Sequence, residues 1–291
     1  MTATVMMNGE LCAPEDATVS IFDRGFLYGD SVYEVLRVYG GVPFELGRHL
    51  ERLEASAERI GMRLSASREV FAREVRDAVA ASGRSEAYIR VVATRGQGPI
   101  GLDPGLAESP LRIVVVMSPP LPPPEAYVEG AKVSVVGVRR NLREAIDPQA
   151  KTGNYLNSVL ALAEARRAGA YEAIMLDAQG RVTEGASSNV FAVMGPLVLT
   201  PPLEVGLLAG ITRRAVMEVC AAEEVKVLEL PLTEESLRAA DELFITSSIR
   251  EIVPVVRVDD HVVGDGRPGP RVTALREAFA RHVRARCALG A

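Results

Sequence analysis

A seven-residue run, Ser118-Pro119-Pro120-Leu121-Pro122-Pro123-Pro124, divides this 291-residue chain. Proline locks φ and carries no amide donor, so neither a helix nor a central strand can pass through the run, and it must be extended and stiff. Apolar strand candidates flank it at 111–117 and 132–138. Residues 1–118 are therefore read as a small N-terminal domain, 119–127 as a linker and 128–291 as a larger second domain, each long enough to bury a core.

In the first domain, apolar stretches at 31–39 and 42–46 flank Gly40-Gly41. Both central positions of a tight hairpin turn require positive φ, which glycine supplies. Leu46, Leu50, Leu53, Ala57 and Ile60 recur at helical spacing and predict an amphipathic helix over 48–61. Ser67 can cap a second helix that buries Phe71, Val75 and Ala78. Strands at 87–94 and 111–117 follow. In the second domain the pattern predicts strands at 132–138, 173–177, 191–199, 225–230, 242–246 and 252–258. Helices over 155–168, closed by Gly169, and over 212–223 and 237–240 lie among them. The fold class is α+β: a small N-terminal α/β sandwich and a larger barrel-like sheet domain with surrounding helices.

Composition acts by exclusion. Hydrophobic residues make up 48% and charged residues 24%, the balance of a soluble globular protein. The net charge of −5 is spread along the chain and gives no footprint for nucleic acid or an anionic membrane. No apolar run reaches the ~18 residues of a spanning helix, and the first residues lack a basic start followed by an apolar block. The expected location is cytoplasmic. Cys12, Cys220 and Cys287 are odd in number and far apart, and His49, His261 and His282 are scattered, so neither a disulfide framework nor a metal site is expected.

The basic residues are 30 arginines and only three lysines. Where arginine has replaced lysine almost everywhere, a retained lysine draws notice, because it can shed its proton and become a nucleophile whereas arginine cannot. Lys132 and Lys226 sit in alternating strand patterns and read as solvent-facing. Lys151 instead follows the breaker Asp147-Pro148 and precedes Thr152-Gly153-Asn154, where Gly153 lets backbone approach a ligand closely. An exposed loop lysine is the plain alternative.

Two segments suit an anion. Gly210-Ile211-Thr212 stands before a predicted helix, whose N-terminus offers free amides and the positive end of the dipole. Thr246-Ser247-Ser248 closes a predicted strand and adds hydroxyls. Arg52, on the 48–61 helix, can complete such a cup as a bidentate partner. Each has an ordinary reading as well, as a helix cap, a turn and a solvated helix face.

Taken in order, these pieces resemble the class IV aminotransferases, the fold-type IV pyridoxal phosphate enzymes. Asp23-Arg24-Gly25-Phe26-Leu27-Tyr28-Gly29-Asp30-Ser31-Val32-Tyr33-Glu34 is similar to that family's N-terminal signature. Lys151-Thr152-Gly153-Asn154-Tyr155-Leu156-Asn157 is similar to its cofactor-lysine segment, and Val182-Thr183-Glu184-Gly185-Ala186-Ser187-Ser188-Asn189-Val190-Phe191 to its pyridine-nitrogen segment. Leu208-Ala209-Gly210-Ile211-Thr212-Arg213 and Leu243-Phe244-Ile245-Thr246-Ser247-Ser248 are similar to its phosphate-cup segments.

The resemblance implies a role for each residue. Lys151 condenses with pyridoxal 5'-phosphate and then serves as base and acid in the proton shift. Glu184 accepts a hydrogen bond from the pyridine nitrogen and keeps it protonated. Arg52, Gly210, Ile211, Thr212, Ser247 and Ser248 hold the phosphate, Leu208 packs on the ring, and Tyr155 bonds to the ring hydroxyl. The resemblance further implies amino acid and keto acid substrates and a homodimer or higher homo-oligomer, with the 97–104 loop of one subunit near the other's pocket.

The substrate reading follows the same resemblance. Tyr33-Glu34 and Ala87-Tyr88-Ile89-Arg90 are similar to branched-chain L-amino acid aminotransferases, in which Tyr88 lines the pocket and Arg90 meets an acidic side chain or co-substrate. The loop after Thr94-Arg95-Gly96 lacks the Arg and His of the D-amino acid enzymes. Ser247-Ser248-Ile249-Arg250 departs from the small Gly-Thr-Ala-Ala turn that receives the carboxylate. That leaves Arg250 either a second carboxylate anchor or a solvent-pointing residue beside Ile249. The expected activity is transamination of a branched-chain L-amino acid with 2-oxoglutarate. D-amino acid aminotransferase, (R)-amine transaminase and aminodeoxychorismate lyase are alternatives within the family, and a lysine-dependent aldolase or a cofactor-free phosphate-binding module is the alternative outside it.

Overall fold

Alternating apolar residues build the first sheet of the computed structural model, which describes residues 3–288. Its elements in chain order are β1 (Thr4–Met7), β2 (Glu10–Cys12), α1 (Arg24–Tyr28), β3 (Ser31–Tyr39), β4 (Val42–Pro43), α2 (Leu46–Arg59), α3 (Arg68–Ser82), β5 (Ala87–Thr94) and β6 (Arg112–Met117). The strands form an antiparallel sheet in the order β2-β1-β6-β5-β3-β4. Even-numbered residues of β3 and odd-numbered residues of β5 face the helices, so Val32, Leu36, Val38, Ile89 and Val91 pack with Leu50 and Leu53 of α2 and Phe71 and Val75 of α3. Each such side chain contributes roughly 1.5–3 kcal/mol relative to exposure. The helix predicted over 48–61 starts earlier, at Leu46, and shortens the strand expected at 42–46 to Val42–Pro43. Gly40 and Gly41 both take positive φ, 57° and 85°, as the hairpin requires.

The second sheet is curled and mixed. Its unit contains α4 (Glu125–Val128), β7 (Ala131–Val135), α5 (Leu156–Arg167), β8 (Glu172–Leu176), β9 (Val182–Gly185), β10 (Asn189–Met194), β11 (Leu197–Thr200), α6 (Ile211–Ala222), β12 (Lys226–Glu229), α7 (Glu234–Arg238), β13 (Glu242–Ser247), β14 (Glu251–Val258), β15 (His261–Val262) and most of α8 (Pro270–Ala288). The strand order is β12-β11-β10-β13-β14-β7-β8-β9, with β15 on β14. The single strand expected over 191–199 is two strands. Gly195, at φ 56°, and Pro196 turn the chain between Met194 and Leu197, which face each other across the ladder. On one face of this sheet Val190, Ala192, Leu243, Ile245, Val253 and Val255 form the core. The other face carries Asn189, Phe191, Phe244 and Thr246, with the two phenylalanine rings stacked at 4.8 Å. The terminal helix α8 and the strands β1, β2 and β9 were outside the sequence reading. Among the described residues, no helix is long and apolar enough to cross a membrane.

The chain divides differently from the boundaries read in the sequence. One unit runs to Pro120 and takes in Ala150–Tyr155 and the chain from Val283; the other is Leu121–Gln149 with Leu156–His282. Residues 119–127 are not wholly a linker, because α4 begins at Glu125. The segment Ala150–Tyr155 belongs with the first unit because β4 reaches only Val38 and Tyr39, leaving the early edge of β3 open. There Tyr33 donates its amide to the Lys151 carbonyl at 3.0 Å, and Gly153 donates to the Ser31 carbonyl at 2.8 Å. A Cβ on Gly153 would lie 2.2 Å from Ser31 Oγ. The backbone approach that Gly153 permits is therefore to β3.

Candidate active site

The first unit holds the amine. Lys151 is tethered by its amide to Ser56 Oγ at 3.1 Å and extends Nζ to 3.3 Å from the Tyr33 hydroxyl. The Tyr155 ring meets Tyr33 edge-on, with centroids 5.6 Å apart. Residues opposite one another in an antiparallel pair share a face, and Tyr33, Tyr88 and Arg90 all lie on the face of the sheet away from α2 and α3. The Arg90 guanidinium sits 4.1 Å from the Tyr33 ring centroid. Burial, reinforced by Tyr155, pushes the Tyr33 phenol far above its ordinary range, so it stays neutral.

On the other face of β3, Glu34 is completely buried. Arg52 donates through Nε and Nη2 at 2.7 Å each, and His49 Nδ1 lies 2.7 Å from the same carboxylate. Burial opposes the Glu34 charge, but Arg52 and His49 outweigh it and hold the carboxyl down at about 2. Burial lowers the pKa of His49, which therefore meets Glu34 as a neutral donor. Arg52 is no solvated helix residue: its side chain is 11% exposed.

The second unit holds a carboxylate and a cup. Glu184 receives Arg140 Nε at 2.9 Å on one oxygen, and the Leu208 amide at 3.1 Å and Asn189 Nδ2 at 3.4 Å on the other. Asn189 also donates to the Leu208 carbonyl at 3.0 Å, and a Cβ on Gly210 would fall 1.9 Å from Asn189 Oδ1. Gly210 thus lets the start of α6 close on Asn189. Ile211 and Thr212, both buried, open that helix, where the first amides have no intrahelical acceptor. Ser247 and Ser248 follow Thr246 at the end of β13, and buried Ile249 leads to Arg250. Arg250 does not point to solvent. It donates to Ser247 Oγ at 2.9 Å, to Glu172 at 2.7 Å, and to the Ser187 carbonyl and hydroxyl at 2.7 and 3.0 Å. Burial opposes its charge, yet Glu172 raises its pKa.

The structure thus gathers Lys151, Tyr155, Tyr33, Tyr88 and Arg90 around one sheet in the first unit, with Arg52 on α2. It gathers Glu184, Leu208, Gly210, Ile211 and Thr212, and the turn from Ser247 to Arg250, in the second. Sequence reasoning missed Arg140, Asn189, His49 and Glu172. Glu172 alone carried a visible signal, as a charged residue opening the apolar run Glu172-Ala173-Ile174-Met175-Leu176.

The chain belongs to the class IV aminotransferases: that family's profile, described as amino-transferase class IV, matches residues 31–258. It is a branched-chain-amino-acid-aminotransferase-like enzyme, similar to a putative branched-chain-amino-acid aminotransferase of Methanocaldococcus jannaschii at 39% identity, over 94% of each chain. It is also 33% identical to a D-alanine aminotransferase of Bacillus licheniformis, over 96% of each chain. Its fold matches the branched-chain aminotransferase of the thermophilic archaeon Thermoproteus uzoniensis, solved with norvaline, with a TM-score of 0.90 and 34% identity, covering 97% of this chain and 95% of that one.

Class IV aminotransferases depend on pyridoxal phosphate, and the residues present fit it. Thr246 Oγ1 is buried with no hydrogen-bond partner among the described residues, on the sheet face it shares with Asn189. A buried orphan hydroxyl costs free energy unless something polar meets it.

Proposed function

We propose that this enzyme transaminates branched-chain L-amino acids with 2-oxoglutarate as the amino acceptor. The observation that carries the catalytic part is the Lys151 amine held 3.3 Å from a neutral Tyr33 hydroxyl. Pyridoxal phosphate, when bound, supplies an aldehyde that takes up the amino group and a ring that delocalises the electrons of the substrate Cα–H bond. Lys151 is the base that takes the Cα proton and the acid that returns it. Tyr33 offers that amine a hydrogen bond without adding a negative charge that would keep it protonated.

The remaining roles are binding and orientation. Glu184, its charge sustained by Arg140, accepts a hydrogen bond from the pyridine nitrogen. Leu208 packs on the ring and Tyr155 bonds to its hydroxyl. The amides at Ile211 and Thr212, with Gly210, Ser247, Ser248 and Arg52, hold the phosphate. Tyr88 lines the side-chain pocket, and Arg90 meets the distal carboxylate of the acceptor.

Two observations support the substrate reading. The loop arginine Arg95 is occupied by Asp30 at 2.7 Å and by the carbonyls of Ile60 and Gly61, so it is not offered to a carboxylate as in a D-amino acid enzyme. Branched-chain amino acid aminotransferases of this fold have been solved with N-(5'-phosphopyridoxyl)-L-glutamate and with 4-methylvaleric acid, one acidic and one branched ligand. The D-alanine aminotransferase relative supports a second reading, a D-amino acid substrate. Separate half-reactions of the coloured enzyme with L-leucine, D-alanine and (R)-phenylethylamine decide between them. Bleaching by L-leucine alone is expected; bleaching by D-alanine without L-leucine overturns the first reading.

The subunit arrangement proposed is a homodimer. Ile21, Phe22, Phe26, Ile100 and Leu102 are between 48% and 82% exposed. They lie on two segments joined by Arg24, which donates to the Gly101 and Leu102 carbonyls at 2.9 and 3.2 Å. A second copy covering them removes an apolar surface that a monomer exposes to water.

A further inference from the structure

Glu172 is fully buried at the head of a strand that is otherwise apolar. A carboxylate in that position needs several partners. It has four: the Ala173 amide at 3.0 Å, the hydroxyls of Ser187 and Ser188 at 3.0 and 3.3 Å, and Arg250 Nη1 at 2.7 Å. Arg250 in turn commits all three of its nitrogens within the protein, to Glu172, Ser187 and Ser247.

The couple therefore ties two turns together. One is Ser187-Ser188, which follows Glu184 and leads into Asn189. The other is the hairpin from Ser247 to Arg250, closed by the pairing of Ser247 with Glu251. Both turns border the face that carries Asn189 and the orphan Thr246 hydroxyl. Arginine suits this task because its planar fork reaches three acceptors at fixed angles, which a lysine ammonium cannot do.

We infer that Arg250, anchored by Glu172, is a positioning residue that holds the Ser247-Ser248 turn in the conformation that receives the cofactor phosphate, and that it does not grip the substrate carboxylate. This rests on the reading of the site as a pyridoxal phosphate site. If it holds, loosening the couple weakens recognition of the phosphate group specifically. The natural comparison is pyridoxal phosphate against pyridoxal, which lacks that group.

The test uses apo-protein titrated with each compound and followed by absorbance, for the wild type and for Arg250→Gln, Arg250→Lys and Glu172→Gln. Cooperative thermal melts select the folded variants, and Arg250→Lys keeps a cation beside Glu172 if Arg250→Gln fails to fold. Loss of charge-assisted bonds should weaken pyridoxal phosphate binding about tenfold or more in Arg250→Gln and Glu172→Gln, with pyridoxal affinity nearly unchanged. Arg250→Lys should lie between. Because the two residues act as one unit, the double variant should be no worse than either single one. Equal losses for both compounds, or no loss, overturn the inference. So does a raised KM for the amino acid with unchanged phosphate selectivity, which assigns Arg250 to the substrate. A wild type that binds neither compound removes the cofactor reading itself and this inference with it, a result seen before any variant is made.

Discussion

Arg140 Nε donates to Glu184 Oε1 at 2.9 Å, and both side chains are largely buried, at 15% and 8% exposure. Arg140 is itself held by Asn157 Oδ1 at 3.3 Å, and Asn157 by the Arg139 carbonyl at 2.8 Å. The carboxylate proposed for the pyridine nitrogen is thus oriented by a cation. Replacing Arg140 with Met removes a charge-assisted bond of about 1.5–3 kcal/mol. Single-turnover rates with L-leucine should fall roughly 10- to 100-fold. A variant that keeps the wild-type rate shows that Glu184 needs no such support.

Lys151 is the residue on which the chemistry turns. Arginine in its place keeps the charge but cannot lose a proton, so Lys151→Arg should lose a factor of about 10²–10⁴ or more. Borohydride treatment of the holoenzyme, followed by peptide mass analysis, should place the cofactor mass on the peptide containing position 151. Label on any other peptide removes Lys151 from its proposed role.

Glu34 makes an acid-sensitive joint between β3 and α2. Its folded pKa of about 2 lies below the ordinary 4.5, so its contribution to stability is complete above about 4.5 and is lost as the pH falls toward 2. His49 acts in the same direction: its pKa is lowered from 6.5 by burial, so acid below that value favours the unfolded chain. Glu34→Gln removes the carboxylate that Arg52 grips at two points and should cost about 3–5 kcal/mol at neutral pH. Urea melts between pH 3 and 7 should show a flatter acid limb in that variant. A limb as steep as the wild type's places the acid sensitivity elsewhere.

What the sequence made legible was local and periodic. Leu46, Leu50, Leu53 and Ala57 announced α2 because one helix face repeats, and Gly40-Gly41 announced a hairpin because few residues tolerate its φ. The turn at Gly195-Pro196 was passed over because strongly apolar strands on both sides read as one run. The cofactor-lysine segment was recognised from its order of residues, but its packing on β3 was not, because an edge left open by a short β4 is a property of the whole sheet. Arg140, His49 and Glu172 escaped for a related reason. Each acts through a partner 15 or more positions away, Glu34 being 15 from His49, Glu184 44 from Arg140 and Arg250 78 from Glu172. Periodicity carries no trace of such pairs.

The exposed apolar residues near α1 give the last prediction. Phe26 is 69% exposed and Leu102 82%, yet the segments that carry them are firmly held. Asp23 caps α1 through the Gly25 amide at 2.7 Å and receives the Thr94 hydroxyl at 2.8 Å, while Tyr28 accepts the Gly101 amide at 3.3 Å. Large apolar side chains fixed toward water are disfavoured in a monomer, and burial of each restores roughly 1.5–3 kcal/mol. Phe26→Asp and Leu102→Asp should therefore shift the protein from dimer to monomer in sedimentation velocity at micromolar concentration. Leu11→Asp, 54% exposed on β2, serves as the control and should leave the distribution unchanged. A dimer that survives both substitutions, singly and together, places the subunit contact on another surface.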